Sequence, residues 1–313
     1  MDVKIRPLRL EDLQDADHIM RVAFGTFTGL PDPASFGDGT DFIRTRWLAA
    51  PDAAFGAELN GKLVGSVLAT KWGSFGFFGP LTVHPNFWDQ GIAKRLLEPT
   101  MELFRKWGVT RAALFTLANS PKHIGLYEKF GFWPRFLTPI MSKSVQPGND
   151  TGFWSKFSNV QARERRDCLA NCRSLADSIY EGLDLEREIV AVDDQKLGDT
   201  VLLWQGNALA GFAVCQCGTG TEAGKDVCYI KFGTVGKGPN VENSFDRLLN
   251  ACDELARMRG MTTVLAGVNT ACHNAYTRMI ERGFRTDFQG VMMLRPNEPA
   301  FDRSDCYVIC DLR

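Results

Sequence analysis

The sequence predicts a mixed α/β (α+β) fold, built twice in tandem. Three observations predict it. The chain has 313 residues, a length that favours two domains over one. In its first half, antiparallel strand patterns lead into a strand–helix–strand–helix alternation, as in a sheet with flanking helices. The second half then repeats the first. A shift of 152 residues places Thr82-Val83 on Thr234-Val235, Arg95-Leu96-Leu97 on Arg247-Leu248-Leu249 and Gly131-Phe132 on Gly283-Phe284. Positions 81–132 carry 12 identities over 52 places without a gap, where composition alone gives roughly three. Upstream, Leu63-Val64-Gly65 matches Leu209-Ala210-Gly211 at a shift of 146, which puts an insertion in Gly218–Gly224. The expected organisation is one domain at 1–142, a linker at 143–152 marked by Pro147, Gly148 and Asn149, and a second domain at 153–313.

Each element has a local reason. Val3–Leu8 reads as a strand. Residues 12–24 place Leu13, Ala16, Ile19, Met20 and Ala23 on one helical face. A Gly/Pro-rich loop covers 25–40, and a short helix follows at 42–48. Asn60-Gly61 joins strands 53–59 and 63–70 as a hairpin, because both residues tolerate positive φ. Strand 77–83, helix 93–107 ending before Gly108, strand 111–117, helix 121–129 and strand 132–137 complete the first copy. After Phe157 the composition is helical for about 30 residues. Strands are expected again at 189–192, 200–204 and 209–215.

Composition excludes several classes. There are 36 basic and 37 acidic residues, so no charge footprint for nucleic acid is present. No stretch approaches a membrane span and no apolar leader opens the chain, so a cytoplasmic protein is expected. All nine cysteines fall at Cys168 or later, an odd number without C-x-x-C spacing. Reduced thiols packed in a core are the expectation, with no metal site. Cys272-His273 is no nucleophile–base pair, since neighbours on a helix point apart.

The chemistry concentrates in Leu81-Thr-Val-His-Pro-Asn-Phe-Trp-Asp-Gln-Gly-Ile-Ala-Lys-Arg-Leu-Leu97. A strand ends near Val83 and a helix begins near Gly91–Ala93. The unpaired amides of a helix start can hold a phosphate, Gly91 allows close approach, and Lys94 and Arg95 add charge. His84 reads as a turn residue.

Val83-His84-Pro85 followed by Gly91-Ile92-Ala93 resembles motif A of the Gcn5-related N-acetyltransferase (GNAT) family. Asn119 through Tyr127 to Gly131-Phe132 resembles that family's second signature. The resemblance covers residues 1 to about 142. It implies two tandem GNAT-like domains, each a mixed, mostly antiparallel sheet with flanking helices. It also implies acetyl-CoA, or another acyl-CoA, as co-substrate. The pyrophosphate would lie on Asp89, Gln90, Gly91, Ile92, Ala93 and Lys94. The pantetheine arm would run along Leu81, Thr82 and Val83 and bond Asn119, with Tyr127 as the acid that protonates the departing thiolate. Trp88 stands where the family has Arg or Gln. The implied function is acyl transfer to an amine of a small molecule or peptide, the alternative being a non-catalytic CoA-binding sensor. Glu58 is one candidate for the base that takes the amine proton. The acceptor pocket is expected from loop 25–40, the helix after it and Phe75–Phe78, with Asp32, Asp38 and Asp41 as partners for a cationic acceptor.

The second copy loses these groups. Gly91, Ile92 and Ala93 become Asn243, Ser244 and Phe245; Asn119 becomes Ala271; Tyr127 becomes Met279. The second domain is therefore expected to keep the fold without the chemistry and to help close the acceptor site.

Overall fold

A computed structural model describes residues 2–146 and 152–313. The first half runs β1 (Val3–Pro7), α1 (Leu13–Thr28), α2 (Phe42–Ala49), β2 (Ala54–Leu59), β3 (Lys62–Trp72), β4 (Phe75–Val83), α3 (Ile92–Lys106), β5 (Arg111–Leu117), α4 (Pro121–Glu128) and β6 (Trp133–Ser144). The second runs β7 (Phe153–Lys156), α5 (Arg165–Ile179), α6 (Glu186–Asp194), β8 (Gly198–Gln205), β9 (Ala208–Cys217), β10 (Val227–Val235), α7 (Val241–Met258), β11 (Thr263–Gly267), α8 (His273–Glu281), β12 (Arg285–Arg295) and β13 (Val308–Cys310).

These strands form a single 13-stranded sheet in the order β1-β2-β3-β4-β5-β12-β6-β11-β10-β9-β8-β7, with β13 on β10. The order is a palindrome of the repeat, and the strands that follow α4 and α8, β6 and β12, are exchanged between the copies. β12 pairs with β5 of the first copy, β6 pairs with β11 of the second, and β6 and β12 lie antiparallel at the centre. Exchange converts two sheets into one and leaves no free edge between them. Gly290 on β12 is needed for this fit, because a Cβ there would lie 2.1 Å from the Phe115 ring of β5. The core is shared as well: Trp72, Phe75 and Phe77 of the first copy pack with Phe232 and Phe301 of the second. Buried ion pairs join the copies, Arg46 with Glu222 and Lys143 with Asp253.

Three expectations need correction. Residues 189–192 form part of α6, not a strand. Ile189 and Val192 are fully buried one turn apart, so packing at helical spacing overrides the β-branched run. Strand β6 continues past the expected linker start, with Lys143 and Ser144 paired to Val264 and Thr263. The Pro-Gly-Asn part of that linker lies in 147–151, outside the described residues. Of the aromatic run, Phe75 and Phe77 face the shared core, leaving only Phe78 for the cleft. The nine cysteines are free thiols, and eight of them are buried core residues. No described helix is long and apolar enough to cross a membrane.

Candidate active site

The site begins with a split in the sheet. β4 and β5 are parallel and pair only where Phe75–Phe77 meets Arg111–Ala113. Beyond that, β5 follows β12 while β4 stays on β3, bent by a bulge opposite Leu68. Among the described residues no strand covers the β5-facing edge of Phe78–Val83. An open edge of this kind can take an extended, amide-bearing ligand as an added strand. The Thr82 hydroxyl is buried without a hydrogen-bond partner. Arg46 donates to the Gly79 carbonyl at 2.6 Å, and the Trp88 indole donates to the Val83 carbonyl at 2.7 Å.

β4 runs into a turn whose backbone is shaped for an anion. Asp89 (φ 63°) and Gly91 (φ 74°) are both left-handed, and α3 starts at Ile92. Among the described residues, no backbone carbonyl accepts from the amides of Asp89 to Lys94. A Cβ on Gly91 would have no neighbour within 4 Å. Bare amides, open space and a helix start together make a phosphate cradle. Trp88 brings no charge, but Lys122 of α4 places its Nζ 5.7 Å from the Trp88 ring centre and 2.6 Å from the Asp89 carboxylate. A cation thus reaches the turn from another element. Lys94 is exposed beside it.

Helix α4 brings two titratable side chains, Tyr127 and His123, to the cleft. Pro121 opens it, and Tyr127 lies on its buried face with its ring 5.8 Å from Phe78. Burial pushes the Tyr127 phenol above its ordinary value, so it stays protonated. Asn119, just before the helix, is exposed at the cleft. One turn before Tyr127, His123 also lines the cleft, packs on Phe27 at 4.9 Å and shares a 2.8 Å hydrogen bond with Ser120. Burial, and then the Lys122 ammonium, hold its imidazole below the usual value, so it is neutral at pH 7. Sequence reasoning missed His123. The available signal was its four-residue spacing from Tyr127, which sets both on one helical face.

All of these features open into one cleft of about 1700 Å³. Leu81, Thr82, Val83, Asp89, Gly91, Ile92, Ala93, Lys94, Asn119 and Tyr127 line it; Gln90 and Glu58 do not. Gln90 is exposed on the far side of the turn, reaching towards the Asn86 carbonyl. Glu58 pairs with Arg6 at 2.6 Å, and that bond holds its carboxyl below the usual range. The structure thus gives Glu58 a salt-bridge partner and no access to the cleft. Asp32, Asp38 and Asp41 also miss the cleft: Asp32 and Asp41 accept the Ala34 and Arg44 amides, and Asp38 is exposed. Residues of the 25–40 segment do line it, Phe27, Leu30 and Phe36 among them, as does Phe42 at the start of α2.

The second copy contributes to the same cleft through Glu222, Ala223, Phe288, Gln289, Leu312 and Arg313. Its insertion at 218–224 docks on the first copy's loop. The Gly220 amide donates to the Gly39 carbonyl, and the Asp41 amide to the Thr221 carbonyl, each at 2.8 Å.

The second copy's own split is filled. β10 and β11 pair over Val227–Ile230 and then part, as β4 and β5 do. In the gap lies β13, with Val308, Ile309 and Cys310 opposite Thr234, Gly233 and Phe232. Those three residues are the repeat equivalents of Thr82, Leu81 and Pro80. Thr234 donates to the Tyr307 carbonyl at 3.2 Å, whereas its equivalent Thr82 has no partner. Phe245 and Met279 are fully buried, and the cavity beside Asn243 and Ser244 measures about 50 Å³.

Comparison with known proteins agrees with this geometry. Residues 18–132 match the sequence model of the acetyltransferase (GNAT) family. An acetyltransferase of Pectobacterium atrosepticum is 34% identical over 82 residues, 26% of this chain and 58% of that protein, so the chain matches little more than half of that relative's length. Among solved structures, a candidate acetyltransferase from Pyrococcus horikoshii superposes with a TM-score of 0.70 at 16% identity, covering 98% of this chain and 94% of its own. A GCN5-related N-acetyltransferase from Sphaerobacter thermophilus gives 0.59 at 14% identity, covering 95% and 96%. The chain shares its fold with both along nearly its whole length, and it is residues 18–132, which carry the open gap and the turn, that match the GNAT family model.

Proposed function

We propose that the protein is an N-acyltransferase, moving an acyl group, acetyl in the first instance, from an acyl-CoA to a primary amine. On this reading residues 1–142 work as the catalytic domain, and residues 153–313 as a degenerate copy that walls the site. The observation that carries the proposal is the matched pair of splits: one filled by β13, the other open beside a bare phosphate turn and an orphaned Thr82 hydroxyl. A donor bound there would lay its diphosphate on the amides of Asp89 to Lys94 and its amide-bearing arm along Leu81–Val83.

A thioester supplies an activated carbonyl; the residues supply position and proton traffic. The amine nitrogen bonds to the acyl carbon as the carbon–sulfur bond breaks, and sulfur leaves with the electron pair. Tyr127 returns a proton to that sulfur, a role its protonated, buried phenol suits. Neutral His123 takes the proton that the amine must shed. The test is release of free CoA from acetyl-CoA by an amine panel. Turnover that falls in Tyr127→Phe while acetyl-CoA affinity holds supports the proposal.

One observation favours a second reading, a CoA-binding sensor. The Trp88 indole already occupies the Val83 carbonyl at the end of the donor edge. Tight acetyl-CoA binding with no amine-dependent release of CoA would establish it.

A further inference from the structure

The cleft lining is of two chemical kinds. Among its cations, Lys94, Lys122 and Lys129 belong to the phosphate turn and to α4 with the residue just after it, and Arg313 comes from the second copy, where it is paired with Asp311. Much of the remaining lining is aromatic and aliphatic, with Phe24, Phe27, Leu30, Phe42, Phe115 and Phe288. Among the described residues, Asp89 and Glu222 are the carboxylates that line the cleft. Neither is free. Asp89 is at the phosphate turn, bound to Lys122. The Glu222 side chain has 0% exposure and is bound by Arg46 at 2.6 Å and Lys231 at 2.7 Å. Against burial, which alone would raise its pKa, those two cations hold it down to about 2.

The apolar wall is also built to stay open. Arg21 donates to the Phe36 and Gly37 carbonyls at 2.8 and 2.7 Å while pairing with Asp17, which pins the loop from inside. The insertion of the second copy pins it from outside through Gly39 and Asp41. A volume of about 1700 Å³ exceeds the roughly 300–1,000 Å³ common for a one-ligand pocket, which leaves room for a second molecule beside the donor.

From this we infer that the acceptor is a monoamine on an apolar body, aromatic or branched aliphatic, with no second positive charge. The inference rests on the acyl-transfer reading and narrows its substrate. An apolar body gains by leaving water against these side chains. A diamine or polyamine would bring an ammonium to a wall with no carboxylate to receive it, and an unpaired buried charge is costly. The same wall assists the chemistry. Desolvation disfavours an ammonium, so an amine entering beside it loses its proton more readily to His123, without a carboxylate base.

The experiment compares 2-phenylethylamine with putrescine as acceptors, following CoA release from saturating acetyl-CoA, with calorimetry of acetyl-CoA binding alongside. The expected result is a kcat/KM about 10²-fold higher for 2-phenylethylamine, the scale on which a mismatched buried polar group is rejected. Leu30 lies at the cleft surface, 37% exposed, where a polar residue can be carried without disturbing the core. Leu30→Asp should narrow the preference about 10-fold by improving putrescine, since a carboxylate then faces the second ammonium. Putrescine used as well as or better than 2-phenylethylamine by the unaltered protein would overturn the inference, and so would a preference that Leu30→Asp leaves unmoved. Acetyl-CoA binding with no CoA release from either amine would instead overturn the acyl-transfer reading, and this inference with it.

Discussion

The two copies in this chain contain the same gap between their parallel strands and treat it in opposite ways. At the second gap, β13 lays Val308–Cys310 along β10, the Tyr307 carbonyl takes the Thr234 hydroxyl, and Phe245 and Met279 are sealed in the core. At the first, no strand among the described residues covers the equivalent edge, the equivalent hydroxyl has no partner among them, and Gly91 and Tyr127 face about 1700 Å³ of open cleft. Strand edges and buried hydroxyls need partners, so a gap of this fold is satisfied by its own chain or by a ligand. The comparison teaches that the two gaps differ in more than their side chains. One is filled by a strand of its own copy, and that copy also walls the other one's cleft.

The comparison can be broken at several points. If the second copy is a structural wall, its buried ties matter most to folding. Glu222→Ala leaves the buried Arg46 guanidinium without its carboxylate and Lys231 with Glu188 alone, and should cost about 3–5 kcal/mol of stability by urea denaturation. A loss below about 1 kcal/mol would mean the copies are loosely joined, as for an exposed pair. Next in size is the acid. Tyr127→Phe should lower kcat about 10²-fold with acetyl-CoA affinity nearly unchanged, while Met279→Leu, at the same place in the other copy, should leave kcat alone.

Thr82 and Thr234 offer a sharper contrast, because one substitution should act with opposite signs. Thr82→Val removes an unpartnered hydroxyl and should stabilise the unliganded protein by about 1 kcal/mol, whereas Thr234→Val leaves the Tyr307 carbonyl unmet and should destabilise it by about as much. Equal signs in thermal or urea melts would remove the argument that the two gaps are equivalent. The smallest effect concerns pH. With its pKa held below the ordinary value by burial and Lys122, His123 is neutral at pH 7 and gains a proton only in more acid solution. The acid limb of kcat/KM should therefore fall below pH 6.5 or so, and His123→Gln should remove it.

What the sequence revealed follows from what is local. The phosphate turn was legible because Gly91, the helix start and the preceding strand lie within one dozen residues and need only local geometry. The repeat was legible because helices α3 and α7 keep the same buried positions, Leu96-Leu97 and Leu248-Leu249. Exchange of β6 and β12 was not legible, since any antiparallel partner satisfies their alternation, and pairing across 150 residues leaves no mark in the pattern. Nor was β13, three residues whose role is set entirely by the gap they enter. Glu58 was misread because Arg6, its partner, comes from a strand 52 positions away. That the second copy closes the cleft was expected, but not which of its residues do so, since a wall made by distant segments is invisible one segment at a time.

The central claim is one donor site per chain, at the open gap. Calorimetric titration of acetyl-CoA into the full chain and into Gly91→Asp tests it most directly. Aspartate tolerates the left-handed backbone at that position but sets a negative charge against the diphosphate. The account predicts a stoichiometry of about one for the unaltered chain and a roughly 10-fold or greater loss of affinity in Gly91→Asp. Two sites per chain, or a single site that Gly91→Asp leaves intact, would contradict it.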